Sequence, residues 1–119
     1  MFALSAVALG AFGAHALKEK LLLRDTVQVW KTAVDYQMWH ALALLLFSWI
    51  GQSDDQNDVK PWACYAFAVG ILLFSGSLYW LALGGPQWLG PVTPVGGLTL
   101  MVGWVLTFIN YPKPNKSKN

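Results

Sequence analysis

Charged residues are scarce in this chain and are missing altogether from one long stretch. Asp, Glu, Lys and Arg make up 12% of the 119 residues, about half the share found in a typical soluble domain. None of the four occurs between Lys60 and Lys113. A small soluble domain needs polar residues to cover its large surface. This stretch could not face water without exposing large apolar patches, so the shortage argues against a soluble domain and indicates a protein that lies in lipid.

The chain also has only one cysteine and little net charge. The single cysteine, Cys64, excludes an intramolecular disulfide and a cysteine-based metal cluster. The formal net charge of +2 is too small to indicate nucleic-acid binding. The basic residues near the end of the chain, Lys113, Lys116 and Lys118, are more simply explained as an anchor close to lipid headgroups.

Apolar residues make up 55% of the chain and fall into four segments. A helix that crosses a membrane needs about 20 residues, and irregular backbone is not tolerated against lipid, so each segment is predicted to be a helix. The whole chain, 1–119, is therefore predicted to be one all-α transmembrane domain. It would be an integral membrane four-helix bundle with short loops and both termini on the same side. The expected spans are approximately 1–17, 33–50, 62–83 and 94–111.

The first segment has two explanations. As a helix, its 17 residues reach about 25 Å, slightly less than a hydrocarbon core of about 30 Å. The alternative is a cleaved signal peptide, because Ala14-His15-Ala16 has the small-x-small form of a cleavage site. No positively charged residue precedes the apolar run, which favours the membrane helix.

Local signals predict where the helices begin and end. Residues 18–35 are expected to form a polar connection, with Asp25 as the N-cap of the second helix. Beyond Asp25, Val27, Trp30, Val34 and Met38 recur at three- and four-residue spacing, so this helix is expected to start near the membrane interface and to continue into the second span. Pro61 suits the first turn of the third helix, where its missing N–H has no partner to lose. Gly84-Gly85-Pro86 is expected to end that helix. Thr93-Pro94 supplies an N-cap and a following proline for the fourth helix.

Four sequence motifs carry a family resemblance. They are GAFGAHALK at 10–18, TAVDYQMWHALALL at 32–45, FSGSLYWLAL at 74–83 and TPVGG at 93–97. In these motifs, and in their order along nearly the whole chain, the sequence resembles the domain-of-unknown-function 423 family. These are small membrane proteins widespread in bacteria, with a eukaryotic relative called transmembrane protein 256. The resemblance implies a four-helix protein of the bacterial inner membrane, and it implies no activity.

Polar side chains within the spans are the candidates for a functional site. A hairpin of the first two helices would bring His15 towards Tyr36 and Gln37. Ionisable groups within a membrane tend to face the bundle interior, and histidine changes charge near neutral pH, so a cluster could relay protons. The alternative is that the same groups hold helices together, each contact contributing about 0.6–2 kcal/mol. The candidate residues are His15, Tyr36, Gln37, His40, Ser75, Ser77 and Tyr79.

A metal ion or a cofactor is not expected. Two histidines can ligate a metal or a haem. However, His15 and His40 do not share a helix at a spacing of four residues, and no cysteine lies in either of their helices.

Small residues that recur at spacings of four or seven residues predict close helix packing. Their partner helix could belong to the same chain or to another copy, so the sequence leaves open a homo-oligomer or a larger membrane complex, besides contact with lipid. The packing candidates are Ala6, Gly10 and Ala14 in the first span, Gly70 in the third, and Gly96, Thr99, Gly103 and Thr107 in the fourth.

Three classes of function can be weighed from these observations. An enzyme is not expected, because the sequence has no nucleophile beside a base and no phosphate-binding loop. A transporter or channel for protons, ions or small solutes, formed on oligomerisation, would need a polar path across the bilayer, whereas the polar residues lie towards one side. A structural or accessory bundle that contacts lipid or a partner is preferred by elimination. Lys and Arg are equally frequent on the two sides, so the orientation is not predicted.

Overall fold

The computed structural model describes residues 1–53 and 61–110, and within these residues all regular structure is helical. The all-α prediction is confirmed. The described residues form five α-helices instead of the four that the sequence indicated. The helices are α1 (Phe2–Ala14), α2 (Lys18–Leu23), α3 (Val27–Ser53), α4 (Trp62–Ala82) and α5 (Val92–Ile109), with a 3-10 turn at Gln87–Leu89. The basic residues near the end of the chain and the last residue of the predicted fourth span lie outside the described residues.

The extra helix, α2, lies in the segment that was predicted to be a polar connection. Its residues are good helix formers, Lys, Glu and Leu. Leu21 is fully buried in a cluster with Trp30 of α3 and Ala82 of α4. This burial fixes α2 against the ends of two longer helices. The first part of the predicted polar connection is therefore helical, where no helix was predicted. α3 begins at Val27, as the helical spacing beyond Asp25 indicated.

Asp25 ends α2 and does not cap α3 as the sequence suggested. Its φ angle of 54° lies in the left-handed region. The amide of Asp25 donates to the Leu22 carbonyl at 3.1 Å, and the amide of Thr26 donates to the Leu21 carbonyl at 3.0 Å. This pair of bonds is the Schellman arrangement, which satisfies the last carbonyls of a helix. The Thr26 hydroxyl then donates to the Ala82 carbonyl at 2.8 Å and ties the start of α3 to the end of α4.

A second Schellman turn follows α4. Gly84 has a φ angle of 88°, and the amide of Gly85 donates to the Trp80 carbonyl at 2.8 Å. The helix thus ends just before the Gly84-Gly85-Pro86 signal. The predicted N-cap of α5 is wrong, because α5 begins at Val92 and Thr93 lies within its first turn.

The long helices pack in the order α1, α3, α4, α5. α3 packs against α1 on one side and against α4 on the other, and α4 packs against α5. Neighbouring helices run antiparallel: Thr26 is bonded to Ala82 at one end of the α3–α4 pair, and His40 lies against Phe67 farther along. The main apolar core lies between α3, α4 and α5 and is formed by Ala43, Phe67, Ile71 and Leu100.

Two segments of the described chain, Trp62–Ala82 and Gln87–Ile109, are long and apolar enough to cross a membrane. Only 28% and 17% of their apolar windows are buried within the chain. The core helix of a soluble protein would be mostly buried, so these two helices present apolar side chains outwards. α1 is also apolar but has only 13 residues. α3 is longer, with 27 residues, and carries Lys31 and Asp35 in its first part.

Candidate functional site

Gln37 is the centre of a buried polar network between three helices. Only 4% of its surface is exposed. Its Nε2 donates to the Phe2 carbonyl at 2.9 Å and to the Ser5 hydroxyl at 2.7 Å, both in α1. Its Oε1 accepts the Tyr79 hydroxyl of α4 at 2.7 Å. Since the amide has two donor hydrogens and both are used, Gln37 links α1, α3 and α4 through one side chain.

Trp30 reinforces the contact between the same three helices at a position nearer the start of α3. Its ring meets that of Tyr79 edge-on, with centroids 4.8 Å apart and planes at 61°, an arrangement that aromatic pairs favour. Its Nε1 donates to the Leu9 carbonyl of α1 at 2.9 Å. Gly13 makes room for the indole, because a Cβ atom at that position would overlap the Trp30 ring.

His40 forms a second polar contact, deeper in the bundle. Its Nδ1 lies 2.7 Å from the Tyr36 carbonyl, and the Trp104 Nε1 donates to its Nε2 at 3.1 Å. A carbonyl can only accept and an indole N–H can only donate, so these partners define a neutral ring with its proton on Nδ1. Tyr36 stacks on the imidazole with centroids 5.9 Å apart, and Phe67 packs beside it. Both ring nitrogens are therefore occupied by the protein itself.

The two serines of α4 serve different interfaces. Ser75 is buried and donates to the Ala33 carbonyl of α3 at 2.8 Å. The Ser77 hydroxyl lies 2.6 Å from the Thr93 hydroxyl of α5 and also donates to the Phe74 carbonyl of its own helix. Ser77 thus faces α5, so the structure does not place it in the polar cluster with Gln37 and Tyr79.

His15 also lies outside that cluster. It is exposed at the C-terminal end of α1. The expected contact with Tyr36 and Gln37 assumed that the second span begins near residue 33, at the membrane level where α1 ends. Because α3 begins six residues earlier, at Val27, the end of α1 lies beside Trp30, and Gln37 faces the start of α1 instead.

Several residues of these contacts were not among the sequence candidates. They are Ser5, Thr26, Trp30, Thr93 and Trp104. Ser5 accepts a hydrogen bond from another helix, and the other four donate or share one. The sequence did contain a general indication that these side chains make hydrogen bonds. A hydroxyl or an indole N–H within an apolar segment must find an acceptor, because an unpaired polar group in lipid is costly. The sequence did not indicate which acceptor each would find.

The small residues of α1 are only partly where the spacing predicted. Ala6 is fully buried, and a Cβ atom on Gly10 would lie 3.4 Å from the Val34 side chain of α3. Ala14, however, is exposed. The closest approach at this end is made by Gly13, since Trp30 projects its ring onto that position. The packed stripe of α1 therefore turns away from Ala14 in its last turn.

In α5 the packed face is formed by Gly96, Leu100 and Gly103, all buried. Gly96 lies against the backbone of Phe74, and Gly103 lies against the Phe67 ring. Of the predicted stripe of Thr99, Gly103 and Thr107, only Gly103 packs against another helix of this chain, and the stripe as a contact with a second copy stays a prediction. The two threonines are only half-buried, and they donate to carbonyls of their own helix at 2.9 Å each, Thr99 to Val95 and Thr107 to Gly103.

On the α4 side of the same interface, Gly70 is buried against Leu100. Gly70 and Ser77, seven residues apart, both face α5. This face allows the backbones of α4 and α5 to approach closely, which is how helices in lipid gain most of their packing energy.

The chemistry available at these sites is that of helix association. Within residues 1–53 and 61–110, every buried side-chain nitrogen and oxygen has a hydrogen-bond partner. In the same residues no three His, Cys, Asp or Glu side chains come together as a metal site would require. The interior of the described chain thus consists of satisfied polar contacts between helices and apolar packing around them.

Comparison with known proteins agrees with the motifs. The family model described as "Protein of unknown function (DUF423)" matches residues 9–97. A UPF0382 membrane protein of Staphylococcus epidermidis is 42% identical over 107 residues, covering 90% of this chain and 85% of the relative. The UPF0382 membrane protein YwdK of Bacillus subtilis is 39% identical over 107 residues, covering 90% and 86%. No solved structure matches the chain significantly. The expected resemblance is confirmed, and the chain belongs to the DUF423 family of bacterial membrane proteins.

Proposed function

We propose that this chain is a non-enzymatic accessory protein of the bacterial inner membrane. In this proposal α1, α3, α4 and α5 cross the bilayer as an integral four-helix bundle, with both termini on the same side. α2 and the 3-10 turn lie at one membrane surface. The bundle is held together from the inside, and its outer surface contacts lipid or a larger membrane complex. The observation that carries the proposal is the closed polar interior.

A transport path would need polar groups that can exchange partners with a solute or with water across the bilayer. The polar groups here are engaged with one another. Gln37 is held by α1 and by Tyr79, and His40 is held by the Tyr36 carbonyl and Trp104. The core between α3, α4 and α5 is apolar. This arrangement favours helix association over conduction.

The outer surface supports the second part of the proposal. Large apolar side chains cover the outside of α4 and α5, and several of them are more than half exposed. Examples are Leu72, Val102, Val105 and Phe108, which are 62%, 52%, 57% and 87% exposed. An apolar surface of this extent suits lipid tails or another membrane protein.

Flux through proteoliposomes tests the interior. The purified chain is reconstituted into vesicles with a pH-sensitive or a potassium-sensitive dye inside, and an ionophore provides the positive control. We expect no flux of protons, potassium or sodium above that of empty vesicles. Flux that disappears in the Gln37→Leu variant or the His40→Phe variant would contradict the proposal and favour a channel or transporter.

Gentle extraction from the native membrane tests the surface. We expect the chain to leave the membrane with bound lipid or as part of a complex of defined mass, as measured by native mass spectrometry. A bare monomer under conditions that preserve known membrane complexes would contradict an accessory role.

A further inference from the structure

An open apolar groove lies on the outer face of the bundle, where α4 ends and α5 begins. Its volume is about 680 Å³, and its lining residues include Leu72, Gly76, Trp80, Pro86, Trp88 and Val92. None of the described residues that line this groove is charged. Both helices beside it belong to the apolar segments that can cross a membrane, so the groove opens towards lipid.

The groove is long and has tryptophans at one end. Leu72 and Trp80 are eight residues apart in α4, so the groove runs about 12 Å along the helix axis. Trp80 and Trp88 are 60% and 68% exposed. Exposed tryptophans at a helix end are typical of the headgroup level of a membrane, where their rings are partly apolar and partly polar. The groove thus extends from headgroup level towards the middle of the bilayer.

Positive charge lies at the tryptophan end. The guanidinium group of Arg24 lies against Gly84, two residues before the lining residue Pro86. α2, which precedes Arg24, carries two lysines and one glutamate, and Asp25 follows. Over residues 18–25, basic residues therefore exceed acidic ones by one. The N-terminal end of α5 adds the positive end of a helix dipole beside the lining residue Val92.

We propose that this groove binds one acyl chain of an anionic phospholipid, whose phosphate pairs with Arg24. The inference rests on the membrane placement proposed above and adds a specific ligand class to it. An apolar slot with a cation at its headgroup end is complementary to an amphiphile that has one negative head. Arginine suits the phosphate because its planar guanidinium can donate two parallel hydrogen bonds.

A variant that fills the groove gives the sharpest test. A Cβ atom added at Gly76 would meet nothing within 4 Å, and Gly76 lines the groove, so the side chain of Gly76→Leu is expected to occupy part of it. Gly51 provides the matched control, since a Cβ atom there also meets nothing within 4 Å, and Gly51 lies in α3, outside the lining. The full chain is titrated in detergent with phosphatidylglycerol or with phosphatidylcholine of identical acyl chains, and bound lipid is counted by native mass spectrometry.

The unmodified chain and Gly51→Leu should retain phosphatidylglycerol in preference to phosphatidylcholine. Gly76→Leu should lose most of the bound lipid of both kinds. Arg24→Gln should reduce the preference for phosphatidylglycerol by about fivefold while leaving phosphatidylcholine unchanged. Lys18→Gln, which removes the same charge at the other end of α2, should change the preference less.

Three results would overturn the inference. They are equal retention of the two lipids, lipid retention that Gly76→Leu does not reduce, and displacement of phosphatidylglycerol by inorganic phosphate alone. A dimer that forms in place of a lipid adduct, and that Gly76→Leu abolishes, would assign the groove to a second copy of the chain. The flux assay in proteoliposomes does not depend on what fills the groove, so a failure of this inference is distinguishable from a failure of the proposed function.

Discussion

Gln37 shows how a single side chain can connect most of a small membrane protein. It bonds to two residues of α1 and to Tyr79 of α4. Replacing either Gln37 or Tyr79 leaves the polar group of the other without a hydrogen-bond partner in apolar surroundings, where an unsatisfied group costs about 1–3 kcal/mol. The stabilisation is therefore a property of the pair and should be visible as coupling between the two residues.

A double-mutant cycle with Gln37→Leu and Tyr79→Phe measures this coupling. We expect each single variant to lower the free energy of unfolding by about 1–3 kcal/mol. The double variant should lose less than the sum, with a coupling energy of about 0.6–1.7 kcal/mol. Reversible unfolding in mixed micelles provides the measurement. Thr99→Val is the control, because the Thr99 hydroxyl bonds only to a carbonyl of its own helix. Strict additivity would show that the bond between Gln37 and Tyr79 does not stabilise the fold.

At the scale of elements, the α4–α5 interface depends on one glycine much more than on its neighbour. A Cβ atom on Gly96 would overlap the backbone of Phe74, whereas a Cβ atom on Gly97 would lie 3.6 Å from the Phe74 ring. A backbone cannot move aside as a side chain can. The two adjacent glycines of α5 therefore form a matched pair.

We expect Gly96→Ala to lower the free energy of unfolding by about 1–3 kcal/mol, because it forces the two helices apart. Gly97→Ala should be neutral or stabilising by up to about 1 kcal/mol, since alanine is the better helix former and makes only ordinary contact. Thermal unfolding in detergent compares the two variants directly. Equal destabilisation by both would contradict the close approach at Gly96.

In the turn between α2 and α3, a substitution is expected to raise the free energy of unfolding, whereas Gly96→Ala is expected to lower it. Asp25 adopts the left-handed conformation that glycine enters without steric cost. Asp25→Gly should raise the free energy of unfolding by about 0.5–1 kcal/mol. Asp25→Ala should lower it, because alanine has neither glycine's freedom nor the local hydrogen bonding of aspartate. If glycine were less stable than aspartate, the carboxylate itself would have to stabilise the turn.

At the scale of the whole molecule, the packing of α2 beside the end of α4 defines one end of the bundle. Lys20 in α2 and Gln87 in the 3-10 turn should then lie at the same membrane surface, with Gly51 near the opposite one. This arrangement follows from the antiparallel order of α3 and α4. It also offers a way to determine the orientation, which the Lys and Arg counts leave open.

Cysteine labelling tests the arrangement in cells. Lys20→Cys, Gln87→Cys and Gly51→Cys are introduced separately after the native cysteine has been replaced by Cys64→Ser. A membrane-impermeant maleimide should label the first two positions from one side and the third from the other, and inverted vesicles should reverse the pattern. Labelling of Lys20→Cys and Gln87→Cys from opposite sides would exclude the proposed four-span bundle.

The sequence by itself determined the class of the protein and its family. The stretch without charge between Lys60 and Lys113 indicates that this part of the chain lies in lipid. This conclusion depends on many residues together, so a wrong helix boundary does not change it. The ends of α4 could also be predicted from the sequence, because Pro61 and Gly84 favour a helix start and a helix end through their own backbone conformations. The motifs led to the family, whose model matches residues 9–97.

The tertiary structure alone decided which polar and small residues meet. Whether Gln37 faces the start or the end of α1 depends on which turn of α3 lies beside the end of α1. The predicted span of 33–50 placed that turn too late in the sequence. Whether Gly96 or Thr99 faces α4 depends on the rotation of α5 about its axis. A shift of a few residues, or a rotation of one position, exchanges these partners without changing the composition or the spacing of small residues. Those choices are made by packing between helices, for which the sequence of one helix carries no local signal.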